Sequence, residues 1–298
     1  MTDAVADAWA ALERTSFSKR RGVLESVGSR HRASLWTLVQ VLWAIGDLRR
    51  LGAAAAGAPD IVNMVDRYRW RGGFAAKPRG RRRFFDDDAW LGLAAMHLDD
   101  RALAAEALAF VRTGEDPAGG VRWVEDAASR NTCSTASAAW LALELGDRPF
   151  AERAMDWLDA TLRTSEGLYR DRLEGGVVDP TIWSYNQGAA VAALRLLERS
   201  EDATTTATAS LRLFEGDRLW REPPPFLAIW FRALLRDPVA SPEAMRRLLT
   251  HTDRLLAEAL DPATGLCRAG GVGSYDGSTT IDQGATVQML AMRALADA

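Results

Sequence analysis

The chain has 298 residues, a formal net charge of −3 and 48% hydrophobic residues. Its length suits one large domain or two ordinary ones, and a composition this apolar can build a sizeable core. The near balance of charge gives no bias towards nucleic acid or an anionic membrane, so we expect neither as a partner. Two cysteines and three histidines, scattered along the chain, argue against a zinc site.

The sequence contains no apolar run that approaches the length of a membrane-spanning helix. Residues 1–22 lack the basic head and apolar core of a signal peptide. The sequence as it stands therefore predicts a cytoplasmic protein, although a secreted chain trimmed of its leader would look the same.

The pattern of apolar residues predicts an almost entirely helical chain. β-Branched alternating runs are scarce, whereas Ala, Leu, Arg and Glu dominate. In chain order the predicted helices span residues 3–15, 31–53, 60–67, 87–99, 101–112, 131–145, 149–163, 185–199, 203–214, 225–236, 241–259 and 280–297.

Two kinds of helix alternate along this order. In the helix predicted at 149–163, Phe150, Trp157 and Leu158 share one face and charged residues take the other. The helices at 87–99 and 131–145 are apolar or small nearly all round, which is typical of helices buried on every side. The alternation predicts an inner layer of helices wrapped by an outer layer.

The lengths of the linkers support this arrangement. Linkers that lead out of the all-apolar helices are short, whereas those that lead in are long. The long linkers, rich in glycine, aromatic and polar residues, are 68–86, 113–130, 164–184 and 260–279. If the inner helices all run in one direction, these loops gather at one end, and long loops in a compact domain are usually functional.

The inner helices start at regular intervals. Starts near residues 35, 86, 131, 186, 226 and 282 recur every 40 to 56 residues. Six helix pairs at this spacing predict an all-α fold, a single (α/α)6 barrel of six inner and six outer helices over residues 1–298. A right-handed solenoid is the alternative, because the period alone does not prove that the ring closes.

Polar residues cluster where the predicted inner helices begin. Carboxylates, amides and aromatic rings together suit a sugar, whose hydroxyl groups pair with the polar side chains and whose ring faces pack on Trp and Tyr. The candidate site residues are Asp86, Asp87, Trp123, Asn131, Trp183, Tyr185, Asn186, Gln187, Arg232 and Asp282.

Each candidate also has a structural interpretation. Aspartates in a first helical turn cap backbone N–H groups and face the positive end of the helix dipole. Asn186 and Gln187 could be a capping pair, the tryptophans could be core residues, and Arg232 could be half of a buried salt bridge. A magnesium site of the DDxxD type is disfavoured, because Trp90 stands where the last carboxylate is needed.

Taken together, these clusters resemble glycoside hydrolase family 76, the endo-α-1,6-mannanases. The family's aromatic-Asp-Asp-x-Ala-Trp string appears at 85–90, and its Thr-Tyr-Asn-Gln-Gly string appears as "SYNQG" at 184–188. "GGVRW" at 119–123, "RNTCST" at 130–135 and "FLAIWFRALL" at 226–235 resemble three further family segments. This chain has Thr135 where the family often has asparagine, and Leu227 where it often has lysine.

The resemblance implies a helical-barrel enzyme that cuts α-1,6-linked mannan or manno-oligosaccharides internally, with no metal and no cofactor. It also implies that Asp86 attacks the anomeric carbon and that Asp87 is the acid/base; Asp88 falls at the family's variable position and is interpreted as a supporting group. Retaining glycosidases need two carboxyl groups about 5–5.5 Å apart, which consecutive residues at a helix end can supply. We expect a monomer.

Two other functions remain open. One is a related barrel enzyme that acts on another sugar, such as an epimerase or an unsaturated-uronyl hydrolase. Epimerases of this fold work with histidines, and His31, His97 and His251 lie in no matching motif. The other is a glycan-binding barrel that has lost turnover, against which the intact Asp86 and Asp87 argue.

Overall fold

The computed structural model describes residues 2–18, 20, 23–25, 31–53, 58–267 and 280–296. Its α-helices in these ranges are α1 (Thr2–Ser16), α2 (Leu35–Arg50), α3 (Ala58–Val62), α4 (Phe85–His97), α5 (Arg101–Arg112), α6 (Thr132–Leu145), α7 (Arg148–Thr161), α8 (Ser184–Leu196), α9 (Ser200–Leu213), α10 (Gly216–Arg221), α11 (Pro224–Leu234), α12 (Ser241–Arg254) and α13 (Thr280–Ala296). A 3-10 helix (Asn63–Tyr68) follows α3, and a π-helix (Leu255–Ala259) follows α12. None of the described helices is both long and apolar enough to cross a membrane.

Six of these helices form a closed inner ring. Around it, α2 packs on α4, α4 on α6, α6 on α8, α8 on α11, α11 on α13, and α13 returns to α2. The inner helices are buried on every side; in α6, for example, all residues from 132 to 142 are buried. The closed ring confirms the predicted (α/α)6 barrel and excludes the solenoid.

An outer helix packs on each member of the ring: α3 on α2, α5 on α4, α7 on α6, α9 on α8, α12 on α11, and α1 on α13. The amphipathic pattern explains these contacts. In α7, Phe150 and Leu158 are fully buried, whereas Arg153 and Asp156 are exposed. Helix α1, the first of the described chain, therefore covers the last inner helix, α13.

The differences between the predicted and observed helices are small. The helix predicted at 60–67 is a short α-helix that continues as a 3-10 helix. Helix α10, at 216–221, was not predicted, because six residues are too few to show a helical period.

Short antiparallel strands lie in the long loops. β1 (Phe17–Ser18) pairs with β2 (Val23–Leu24), and β3 (Arg69–Trp70) pairs with β4 (Gly73–Phe74). A three-stranded sheet contains β5 (Arg130–Asn131), β6 (Arg172–Glu174) and β7 (Val177–Asp179). In this sheet Asn131 lies opposite Arg172, so the loops that enter α6 and α8 are held together.

The fourth residue of four inner helices anchors the loop that precedes the helix. In each case a side-chain oxygen accepts a hydrogen bond from a backbone N–H of that loop. The pairs are Asp88 with Phe74 at 2.9 Å, Thr135 with Val121 at 3.0 Å, Gln187 with Tyr169 at 2.8 Å and Gln283 with Cys267 at 3.0 Å. Much of the polarity at the helix starts therefore satisfies buried loop backbone, which would otherwise cost free energy.

Gly188 allows α8 and α11 to approach closely. A Cβ atom at this position would lie 2.8 Å from the Cα atom of Trp230, a backbone atom that cannot rotate away. We expect Gly188→Ala to lower the free energy of unfolding by roughly 1–3 kcal/mol, because overpacking forces the two helices apart. Urea denaturation would measure this, with Ala192→Ser in the same helix as the control; equal stability of the two variants would contradict the close-packing argument.

Candidate active site

The N-terminal ends of five inner helices, α2, α4, α6, α8 and α11, converge on a cavity of about 470 Å³. A cavity of this size is suited to a small organic ligand such as a sugar unit. Its wall consists of Ser34, Trp36, Ala76, Lys77, Phe84, Asp86, Asp87, Trp90, Trp123, Asn131, Cys133, Asp171, Arg172, Trp183, Tyr185 and Phe226.

The cavity brings together six of the predicted site residues, which come from separate segments between positions 86 and 185 of the chain. They are Asp86, Asp87, Trp123, Asn131, Trp183 and Tyr185. The helices explain why these side chains meet: the carboxylates lie in the first turn of α4, Asn131 precedes α6, and Trp183 precedes α8. Trp123 comes from the loop before α6 and is 38% exposed, so its ring is open to a ligand.

Asp86 and Asp87 are held at the positive end of the α4 dipole, which favours a carboxylate. Oδ2 of Asp86 accepts a hydrogen bond from the thiol of Cys133 at 3.5 Å. Oδ1 of Asp86 is buried and has no hydrogen-bond partner among the described residues. An unsatisfied carboxylate oxygen at a cavity wall is available to a ligand.

The pKa values of the two carboxyl groups differ because their neighbours differ. Burial raises the pKa of Asp86 to about 6, although hydrogen bonds from Cys133, backbone N–H groups and Trp123 act in the opposite direction. Burial raises the pKa of Asp87 well above its usual value, the charge of Asp86 raises it further, and Lys77 partly offsets both. Of the two groups, Asp86 therefore gives up its proton more readily and Asp87 retains its proton more strongly.

Asp88 has a supporting role. It is fully buried, does not line the cavity, and its Oδ1 accepts the hydrogen bond from the N–H of Phe74. The interpretation of Asp88 as a supporting group thus agrees with its position.

Asn186 and Gln187 lie behind the cavity wall, which corrects their prediction as substrate-binding residues. Both side chains are fully buried. Gln187 is occupied by the backbone of Tyr169, and Asn186 donates from Nδ2 to Asp171 at 3.4 Å. The reason is the helical turn: successive residues point about 100° apart, so only Tyr185 faces the cavity.

Arg232 lies at the other end of the barrel, so its prediction as a substrate-binding residue is wrong. It is close to the C-terminus of α11, where it donates to both carboxylate oxygens of Asp47, at 2.9 and 2.6 Å. The alternative interpretation, a buried salt bridge, is the correct one.

Asp282 is buried in the first turn of α13. The cavity wall formed by the described residues does not include it. The loop before α13, residues 268–279, lies outside the described residues, and the role of Asp282 in substrate binding stays a prediction.

Several residues of the cavity wall were not predicted from the sequence. Asp171 comes from the loop next to β6 and adds a third carboxylate, whose pKa is raised by burial against the opposing charge of Arg172. Trp36 and Phe226 lie in the first turns of α2 and α11, where their position at the predicted helix starts could have identified them. Lys77 and Asp171 carried no comparable signal, because neither belongs to a periodic segment.

Cys133 tunes the charge of Asp86. Burial raises the pKa of the thiol well above its usual value, so the thiol keeps its proton and can donate it in a hydrogen bond. Without this donor the pKa of Asp86 should rise further, and activity that needs the ionised Asp86 should fall at a higher pH. We expect Cys133→Ala to move the acidic limb of the pH–rate profile up by roughly half a pH unit.

The matched variant is Cys133→Ser, which keeps a hydrogen-bond donor and should leave the limb close to its original position. A limb that stays in place in Cys133→Ala would show that the thiol does not act on Asp86.

A sequence profile described as "Glycosyl hydrolase family 76" matches residues 64–205. No curated protein matches the sequence. Among solved structures, a GH76 α-mannanase of Bacteroides thetaiotaomicron has a TM-score of 0.82 at 17% identity, and the match covers 99% of this chain and 97% of the other. The α-1,6-mannanase GH76A from Salegentibacter sp. HEL1_6 has a TM-score of 0.78 at 19% identity, covering 99% of each chain.

An inactive variant of the Salegentibacter enzyme, with two consecutive aspartates replaced by asparagine, is also similar. It was solved in complex with α-1,6-mannotriose, and it matches with a TM-score of 0.77 at 18% identity over 99% of each chain. At these identities the structural matches show a common fold.

Proposed function

We propose that this chain is a glycoside hydrolase that cleaves α-1,6-linked mannan or manno-oligosaccharides internally, with retention at the anomeric carbon. The match of residues 64–205 to the profile of glycosyl hydrolase family 76 supports the proposal. The observation that carries the proposal is the pair of adjacent carboxyl groups, Asp86 and Asp87, with different proton affinities at the wall of one cavity. The linkage rests on the similar structures, which include an α-1,6-mannanase and a complex with α-1,6-mannotriose.

In the first step of the proposed reaction, Asp86 supplies an electron pair to the anomeric carbon. The bond to the leaving oxygen breaks, and Asp87 donates its proton to that oxygen. The products of this step are a free sugar chain and a glycosyl ester on Asp86. The raised pKa of Asp87 suits this role, because a group that is already ionised could not act as the acid.

In the second step, Asp87 has become a base and removes a proton from water. The water oxygen attacks the anomeric carbon, the ester bond to Asp86 breaks, and both carboxyl groups return to their initial states. Lys77, whose charge lowers the pKa of Asp87, helps the ionised Asp87 of the intermediate to persist until water arrives.

Aromatic rings form the rest of the sugar-binding surface. Tyr185 stacks on Phe226 with a centroid distance of 4.0 Å, and Trp183 contacts the same phenyl ring edge-on at 5.5 Å. Apolar walls of this kind cover the faces of a pyranose ring and limit the access of bulk water.

Trp123 should contribute to binding rather than to folding, because part of its ring is exposed at the cavity. We expect Trp123→Ala to weaken oligosaccharide binding by about tenfold, the loss of one stacking surface, with little change in melting temperature. Trp220→Ala is the control, since Trp220 lies outside this cavity. A collapse in melting temperature without a specific loss of binding would instead identify Trp123 as a core residue.

Incubation with linear mannotetraoses of different linkage tests the proposed function. The α-1,6-linked tetraose should yield shorter manno-oligosaccharides, whereas the α-1,2- and α-1,3-linked tetraoses should remain intact. Binding of the α-1,6-linked compound without products would identify a glycan-binding barrel, and cleavage of only the other linkages would refute the proposed specificity.

A further inference from the structure

A second cavity, of about 530 Å³, lies at the C-terminal ends of the inner helices. It is lined by Asp47, Arg50, His97, Arg232, Leu235, Arg236, Ser241, Pro242, Met245, Met292, Leu295 and Ala296. Helix α4 shows how far it is from the first cavity, because Asp86 and His97 lie near opposite ends of that helix. At 1.5 Å per residue, the two sites are about 16 Å apart along the barrel.

The second cavity has an excess of positive charge. Three arginines line it, but Asp47 is the only carboxylate among the described lining residues. Burial, together with the charges of Arg232 and Arg50, lowers the pKa of His97 to about 4, so this ring is neutral at pH 7.

Both carboxylate oxygens of Asp47 already accept hydrogen bonds. Arg232 donates to both of its oxygens, and His97 donates from Nε2 to Oδ1 at 2.7 Å. The Arg232 guanidinium also lies over the ring of Trp43 at 4.2 Å, which fixes its orientation. The single carboxylate of the wall therefore pairs with Arg232, and neither Arg50 nor Arg236 has a carboxylate partner among the described lining residues.

Arg50 and Arg236 are the exposed cations of this cavity wall. Arg50 contacts the ring nitrogens of His97. Arg236 lies 4.0 Å from the carboxylate of Glu144, and the side chains of Arg236 and Glu144 are 53% and 30% exposed. Partial desolvation beside the cavity wall, followed by repulsion from Arg232, lowers the pKa of Arg236, although its side chain is half exposed. In addition, Nε of Arg232 is buried without a hydrogen-bond partner. An anion held by Arg50 and Arg236 would relieve the repulsion among these guanidinium groups.

Most of the remaining lining residues are apolar. They include Leu235, Pro242, Met245, Met292 and Leu295. Methionine side chains adapt to ligands of different shape, and an apolar wall beside paired guanidinium groups matches an anion that carries an organic group.

We infer that this second cavity binds a small organic phosphate, with the phosphate group on Arg50 and Arg236 and the organic group against Met245 and Leu295. Guanidinium groups bind phosphate through two parallel N–H···O bonds, which makes arginine pairs well suited to this ligand. Neither arginine belongs to the hydrolytic cavity, so the inference is independent of the proposed hydrolase activity.

Isothermal titration calorimetry with phenyl phosphate and inorganic phosphate tests this assignment. The wild-type protein should bind phenyl phosphate at one saturable site, more tightly than inorganic phosphate. Arg50→Gln and Arg236→Gln should each weaken binding by at least about tenfold, since each removes a charge-assisted contact. Arg212→Gln, which removes an exposed arginine of α9, should bind like the wild type.

Melting temperatures without ligand show whether the variants are folded. If a glutamine variant is unstable, the Arg→Lys replacement at the same position keeps the charge, loses the paired donors, and should still bind more weakly. Absence of saturable binding to the wild type, or unchanged binding in both arginine variants, would mean that these cations serve only the helix C-termini. Binding of inorganic phosphate but not phenyl phosphate would overturn the organic ligand.

Discussion

Asp86→Asn and Asp87→Asn should each lose activity on α-1,6-mannan by on the order of 10³-fold or more. An amide is neither the nucleophile nor the acid that the two steps need. Both variants should fold, because asparagine fills similar space and can still cap the first turn of α4. Initial rates of oligosaccharide release, with circular dichroism to verify folding, would measure the loss.

The two variants should differ in how they fail. With an activated leaving group, Asp87→Asn should still form the glycosyl ester, because the departing oxygen needs little help from an acid. Asp86→Asn should form no ester with any leaving group. Asp88→Asn is the matched control: its carbonyl can still accept from Phe74, and much of the activity should remain. Near wild-type activity in Asp86→Asn would refute the assignment.

Arg232→Met should be among the most destabilising single substitutions in the barrel. It leaves the carboxylate of Asp47 buried with His97, whose ring is neutral at pH 7, as its remaining partner. Removal of one member of a buried ion pair typically costs about 3–5 kcal/mol. Urea denaturation should therefore show a large drop in the free energy of unfolding.

A compensating variant separates lost charge pairing from lost packing. In Arg232→Met combined with Asp47→Asn, no buried charge remains, and much of the lost stability should return. Arg236→Met, an exposed neighbour on the same side of the barrel, should change stability by less than about 1 kcal/mol. A single variant at Arg232 as stable as that control would show that the buried pair contributes little.

The barrel itself could be predicted because its signal is periodic. Helices apolar on every side can only be inner helices, and amphipathic ones can only be outer helices. Ring closure could not be read from the sequence, because it depends on the contact of α13 with α2, which no local pattern specifies.

The candidate site was predictable only in part, for a geometric reason. Asp86, Asp87 and Tyr185 lie in the first turns of inner helices, and the direction of those helices takes the residues to one end. Arg232 follows the start of α11 by eight residues, a rise of about 12 Å. This distance from the helix start indicates that Arg232 lies far from the cavity formed by the helix N-termini. Its partner, Asp47, is 185 residues away in the chain, and no spacing rule connects them.

Asn186 and Gln187 illustrate a second limit. Polar residues at a helix start look alike in sequence whether they face a ligand or a loop, and the structure shows that Gln187 binds the backbone of Tyr169. The missed Asp171 is the complementary case. It lies in a loop without periodicity. Its position directly before β6, the strand that pairs with β5, brings it to the cavity wall.

Mass spectrometry of a trapped glycosyl-enzyme tests the central claim most directly. Asp87→Asn is mixed with an α-mannoside that carries an activated leaving group, so that the ester forms but its hydrolysis lacks a base. We predict one added sugar, located by peptide fragmentation on Asp86. A sugar on any other residue, or no adduct together with inversion at the anomeric carbon in the NMR spectrum of the wild-type product, would contradict it.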